Sequence, residues 1–318
     1  MSWTFDSVAL VGAGAVGSYY GGRLAQHGAD VRFLLRSDFE AVSRDGLRIE
    51  SVRGDFHLAA VNAARTPAEI GPVDLVIVAW KATANHLLPA VLPPLLHSGT
   101  QVITLQNGLG NCETIAAITG PERVLGGLCF VCINRLAPGH VRHSAGGKIA
   151  IGEWLPDARG RAAELTRRFA AADIPAETAT SLETAQWQKL VWNIPFNGLA
   201  IAEGGVTTDV LLASPAIEAE IRALMTEIIT AARALGMNLD DPLIDLNIDR
   251  TRPMGPYRPS SMIDFLAGRE VETTAIWEEP LRRATAAGIP MPRLAILLDR
   301  IRRRLAVRGQ STAANQGL

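Results

Sequence analysis

The sequence predicts an α/β protein, an N-terminal doubly wound parallel sheet followed by a second, all-helical domain. Three observations carry this. Through residues 1–180 short apolar, strand-like runs alternate with helical stretches. After about residue 180 those runs stop and long amphipathic stretches take over. The first apolar run also ends on a glycine cluster that opens a helix, Gly12-Ala13-Gly14-Ala15-Val16-Gly17. A length of 318 residues suits two domains of ordinary size, 1–180 and 181–318.

In chain order, Val8–Val11 reads as a strand and a helix begins near Ala15. Strands follow at Val31–Leu35 and Asp74–Trp80, then a helix through about Leu96, then strands at Gln101–Leu105 and Val124–Ile133. Strands separated by helices pair parallel, with helices over both faces. Pro138-Gly139 and Gly146-Gly147 punctuate residues 138–153, which are predicted to add antiparallel strands at the sheet edge. In the second half, helices are predicted at Ser181–Leu199, Pro215–Leu235, Glu270–Ala287 and Met291–Val307. Ile217, Ile221, Leu224 and Ile228 recur at helical spacing and give their helix one apolar face. Met254–Ser261 reads as a loop between helices, and Gln310–Leu318 as a frayed tail.

Composition narrows the function classes. Hydrophobic content is 48%, charged content 20% and net charge −1, so the basic surplus of a nucleic-acid binder is missing. Arg300, Arg302, Arg303 and Arg304 follow the apolar run Leu294–Leu298 and read as the wet face of a last helix. No apolar run approaches the roughly 20 residues of a membrane span. Three cysteines, Cys112, Cys129 and Cys132, make no disulfide framework, and a reducing cytoplasm is the expected setting. Cys129 and Cys132 are three apart on a strand-like run and so point to opposite faces, as do His140 and His143 if extended. No metal site is expected.

The glycine cluster carries the first chemistry. It follows a strand and opens a helix, as a Rossmann-type dinucleotide site requires. Gly12 makes the tight turn, Gly14 admits a pyrophosphate close to the backbone, and Gly17 lets helix and strand pack. The N–H groups of Ala15, Val16 and Gly17 then face the phosphates. An NAD site expects an acid at the end of the second strand, where it holds the ribose 2′-OH. Here that strand ends Leu34-Leu35-Arg36-Ser37. Asp30 lies at its other end, about 15–20 Å away at strand rise. Arg36 instead suits a 2′-phosphate, with Ser37 as a second donor, so the predicted cofactor is NADP(H).

Ligands bind beyond the carboxyl ends of strands in such sheets, where Lys81 and Asn107 emerge. In the second domain, Lys189, Asn193 and Asn197 step by four along one face of an otherwise apolar helix, interrupted by Pro195. A lysine whose pKa falls through burial is a candidate general acid for carbonyl reduction, and a solvated helix-end lysine is the alternative.

These motifs together resemble the ketopantoate reductase family. The resemblance rests on the glycine cluster with Arg36, on Lys81, and on Leu105-Gln106-Asn107-Gly108-Leu109-Gly110. It continues through Trp187-x-Lys189-x-x-x-Asn193-x-x-x-Asn197, Pro259-Ser260-Ser261-Met262 and Gly268-Arg269-x-x-Glu272. It implies an NADPH-dependent reduction of a 2-keto acid. Lys189 would be the general acid, with Glu272 opposite it. Lys81 and Asn107 would lie by the nicotinamide, Asn193 and Asn197 at substrate hydroxyls, and Ser261 at the carboxylate. The chain departs from the family pattern at Asp264-Phe265, Val271, Thr207 and Trp277–Pro280, all in the second domain. Reduction of a different branched 2-keto acid, and a non-catalytic NADP(H)-sensing role, are the alternative readings. A homodimer is compatible with the sequence.

Overall fold

The computed structural model describes residues 5–155 and 160–316, with 309–316 as helix backbone. The chain divides into two compact units, Met1–Leu182 and Glu183–Leu318. Along the first run β1 (Ser7–Val11), α1 (Ala15–Gln26), β2 (Asp30–Leu34), α2 (Phe39–Asp45), β3 (Leu47–Ser51), β4 (Phe56–Leu58), β5 (Asn62–Ala64), α3 (Pro67–Ile70), β6 (Leu75–Val78), α4 (Leu88–Val91), β7 (Gln101–Thr104), α5 (Asn111–Thr119), β8 (Val124–Ala137), β9 (His140–Glu153), α6 (Arg161–Ala171) and β10 (Ala176–Thr178).

One sheet holds these strands in the order β4-β3-β9-β8-β7-β6-β1-β2-β5, with β10 also pairing with β9. From β5 to β8 every neighbouring pair is parallel. Residues Val8–Val11, Leu75–Val78 and Val102–Ile103 are wholly buried, as strands covered on both faces must be. Their carboxyl ends therefore share one edge of the sheet, and the loops leaving that edge carry Gly12, Arg36, Lys81 and Asn107.

Two expectations need correction. The 138–153 segment forms an antiparallel strand, β9, but it does not end the sheet: β3 pairs with residues 140–143 and carries β4 beyond it. β3 has five residues and β4 three, too short for their alternation to stand out in the sequence. The helix expected to run to Leu96 is instead a 3-10 turn (Ala82–Leu87), α4 and a second 3-10 turn (Pro93–Leu95). Pro89, Pro93 and Pro94 each lack the N–H that a continuous helix needs.

The second unit contains α7 (Leu182–Ala202), α8 (Thr208–Ala213), α9 (Pro215–Ala234), α10 (Pro242–Thr251), α11 (Ser260–Leu266), α12 (Glu279–Ala286) and α13 (Pro292–Gln316). Thr274–Glu278 forms a π-helical turn ahead of α12. Among its described residues there is no strand. Ser214 caps α9 by accepting from the Ile217 N–H, with Pro215 at the first helical position, and Ile221, Leu224 and Ile228 are fully buried. α7 continues through Pro195, so the Val191 carbonyl lacks its usual N–H partner four residues on. Met254–Ser261, read as a loop, begins on the last residue of a 3-10 turn (Arg252–Met254) and ends on the first two residues of α11. α13 runs on to Gln316, where a frayed tail was expected.

Three of the arginines of α13 pair with acids of their own unit. Arg300 pairs with Glu203 and Glu220, Arg302 with Glu278 at 2.9 Å, and Arg303 with Asp299. Arg304 donates to the Ala202 carbonyl at 2.9 Å. Among the described residues, no helix is long and apolar enough to cross a membrane.

A buried histidine gives the first unit a testable pH dependence. His143 on β9 is 1% exposed; its Nδ1 lies 2.9 Å from Ser51 Oγ and its Nε2 3.0 Å from the Ala145 carbonyl. Ser51 Oγ already accepts from the Arg53 N–H and Arg23, so its proton goes to Nδ1 and the ring's own proton sits on Nε2. Burial holds the imidazole pKa below its ordinary 6.5, and the nearby charges of Arg23 and Arg53 lower it further. The unfolded chain therefore binds the extra proton first. This stability is full above pH ~6.5 and is lost as pH falls from there through the lowered native value. Thermal unfolding should show Tm falling between pH 7.5 and 5.5, and His143→Gln should flatten that slope. An unchanged slope in His143→Gln would assign the pH dependence to other groups.

Candidate active site

The first half of the site is the glycine turn. Gly12 has φ +98°, and a Cβ there would sit 2.4 Å from the Trp80 backbone nitrogen. At Gly17 a Cβ would lie 2.2 Å from the Gly12 carbonyl oxygen, so only hydrogen lets α1 approach β1 this closely. Gly14 differs: a Cβ would meet nothing within 4 Å. That open space lies at the amino end of α1, whose first N–H groups, on Ala15, Val16 and Gly17, have no carbonyl one turn earlier to bond. The cradle fits a pyrophosphate in shape and in charge.

At the end of β2, Arg36 and Ser37 are exposed. The Arg36 guanidinium has no hydrogen bond or ion pair among the described residues. Ser37 is already engaged, its hydroxyl donating to Asp38 Oδ1 at 2.9 Å. Sequence reasoning passed over Asp38, which is 8% exposed and also accepts from Arg135 and the Gly139 N–H. This acid ties β2 to the β8–β9 turn, while Asp30 is held by Arg32 at 2.7 Å. Both carboxylates near β2 are thus committed to arginines.

Lys81 lies three residues beyond the end of β6 and precedes the Ala82–Leu87 turn; Asn107 follows β7, and both are half-buried. The Asn107 carbonyl accepts from Asn111 Nδ2 at 2.9 Å.

In the second unit, Lys189, Asn193 and Asn197 lie on α7. Lys189 is half-buried, Asn193 and Asn197 buried. Asn197 Oδ1 accepts the Ser261 N–H at 3.0 Å, so this asparagine holds the first turn of α11 against α7. Ser261 is 2% exposed and Glu272 7%. Trp192 stacks on Phe196 with ring centroids 5.0 Å apart and tilts against Tyr257 at 6.2 Å, an aromatic group beside the polar stripe.

Several departures from the family pattern have structural jobs. Asp264 is buried and binds Arg269 through Nε at 2.9 Å, while its carbonyl accepts the Arg269 N–H. That closes the turn leading to Glu272. Trp277 is fully buried, donates to the Ile194 carbonyl at 3.0 Å and packs on Gly198, where a Cβ would come within 2.9 Å of the indole nitrogen. Thr207 precedes α8 and its hydroxyl donates to Asp209. Among the described residues no group of three or more His, Cys, Asp or Glu side chains is arranged to hold a metal ion.

Comparison with known proteins matches both halves. The family described as "Ketopantoate reductase PanE/ApbA" matches residues 8–156, and "Ketopantoate reductase PanE/ApbA C terminal" matches residues 181–304. A 2-dehydropantoate 2-reductase of Nostoc sp. is 40% identical over 299 residues, 92% of this chain and 93% of that protein. The crystal structure of a 2-dehydropantoate 2-reductase from Geobacter metallireducens aligns with a TM-score of 0.91 at 43% identity, covering 93% of this chain and 99% of that one. A D-mandelate dehydrogenase in complex with NADH shares the fold, with a TM-score of 0.84 at 21% identity over 95% of this chain and 99% of that one. Since the two matched segments follow in order and a relative at 40% identity spans 92% of the chain, the protein belongs to the ketopantoate reductase family.

Proposed function

We propose that this protein is an oxidoreductase that uses NADPH to reduce 2-dehydropantoate (ketopantoate) to pantoate, the reductive step of pantothenate biosynthesis. The observation that carries the reading is the α7 stripe of Lys189, Asn193 and Asn197 within a chain whose relatives from Nostoc and Geobacter bear that activity in their names. A reductase of a 2-keto acid needs a proton donor, an anion cradle and hydroxyl ligands, and the family positions supply all three.

When bound, NADPH supplies the hydride that becomes the new C–H bond at the keto carbon. The α1 N–H groups around Gly14 hold the pyrophosphate, and Arg36 takes the 2′-phosphate. Lys81 and Asn107 orient the nicotinamide end and the keto group. As the ketone oxygen gains negative charge, Lys189 delivers a proton to it, so hydride and proton together make the alcohol. Glu272 is the family position assigned opposite that amine. Asn193 and Asn197 hold the substrate hydroxyl, and Ser261 its carboxylate.

The test follows NADPH absorbance with a panel of 2-keto acids. Ketopantoate should give the highest kcat/KM. A higher value for another branched 2-keto acid would replace the substrate and keep the chemistry. NADPH binding without oxidation by any keto acid would leave a sensing role.

A further inference from the structure

The loops after β6 and β7 hold a one-way chain of side-chain hydrogen bonds. Thr104 Oγ1 donates to Gln106 Oε1 at 2.9 Å, and Gln106 Nε2 donates to Asn85 Oδ1 at 2.7 Å. Asn85 Nδ2 donates to Asn111 Oδ1 at 2.9 Å, and Asn111 Nδ2 donates to the Asn107 carbonyl at 2.9 Å. The Trp80 indole adds a second donor on Asn85 Oδ1 at 3.2 Å. Each amide is used in one orientation, oxygen accepting and nitrogen donating. Such a chain polarises along its length, and turning one member breaks its bonds on both sides, because the final acceptor, a backbone carbonyl, cannot donate.

Asn85 lies four residues beyond Lys81, in the turn that follows β6; Gln106 and Asn111 flank Asn107 after β7. Asn85 is thus the crossbar where the two loops meet. Without a link between them, each loop is a short irregular connection that can adjust independently of the other. Joined through Asn85, they are set before any ligand arrives, so binding need not order them.

We propose that Asn85 is a positioning residue for the reduction: it locks together the loops of Lys81 and Asn107 so that both meet the nicotinamide end of the cofactor. The proposal rests on the NADPH-dependent reading above. Asn85 does its work through Asn107 and Lys81.

Asn85→Asp is the informative variant. It keeps shape and the acceptor for Trp80 and Gln106 but has no donor for Asn111. If Asn111 turned its amide to donate to the new carboxylate, its own oxygen would face the Asn107 carbonyl. NADPH affinity, measured by fluorescence titration, should fall about tenfold, and kcat/KM with ketopantoate by at least as much. In an Asn107→Ala background the same change should cost less than about threefold, since coupled residues are not additive. An Asn85→Asp protein with wild-type NADPH affinity, or losses that add fully with Asn107→Ala, would overturn the proposal. Should Asn85→Asp fail to fold, Asn111→Ala cuts the next link and is judged by the same titration. A wild type that binds NADPH but does not turn over ketopantoate would refute the functional reading, while the titration alone still decides on Asn85.

Discussion

Lys189→Ala is expected to lower kcat by at least about 100-fold while NADPH affinity stays intact. Hydride addition to a ketone builds negative charge on oxygen, and without a proton the product is an unstable alkoxide. General acid catalysis contributes about 10²- to 10⁴-fold to such a step. The α7 setting suits the role, because Lys189 is half-buried on a helix that is otherwise mostly apolar, on the same helical face as Asn193 and Asn197. The other amine in question is Lys81, which leaves the carboxyl end of β6 beside the cradle loops. A lysine there serves orientation, so Lys81→Ala should raise KM at least as much as it lowers kcat. Normal turnover by Lys189→Ala would remove it as the acid. Loss of kcat in Lys81→Ala alone would move the role to Lys81.

Arg36→Ala is expected to raise the KM for NADPH about 10- to 150-fold and leave that for NADH nearly unchanged. The contrast follows from the setting of Arg36. Its exposed guanidinium has no bond to lose among the described residues, so the substitution should not disturb the native fold. What disappears is the charge-assisted contact with a group that only NADPH carries. Asp38, the nearby carboxylate, cannot replace it with a ribose 2′-OH contact without giving up Arg135, and Asp30 lies at the far end of β2. Steady-state kinetics with both cofactors decides the matter. Equal losses with NADPH and NADH would make Arg36 a structural residue.

Much of this protein was legible from residue order alone because the deciding physics is local. A strand ending in Gly12-x-Gly14-x-x-Gly17 needs small residues at three spots whatever surrounds it, and the structure shows a backbone atom or carbonyl where two of the missing Cβ atoms would go. The four-residue step of Lys189, Asn193 and Asn197 follows from helical pitch, and the run of buried strands from their unbroken apolar character. Tertiary structure decided what depends on partners distant in sequence. β9 lies inside the sheet because β3, some ninety residues earlier, supplies its other edge, and no local pattern marks that pairing. Asp38 is a buried anchor because Arg135 reaches it, and Asp264 stands one position from the family's usual acid yet still holds Arg269. The chain of amides centred on Asn85 was invisible for the same reason. An asparagine in a loop has no periodicity to betray it, and only folding shows that the donors and acceptors of three such amides point the same way.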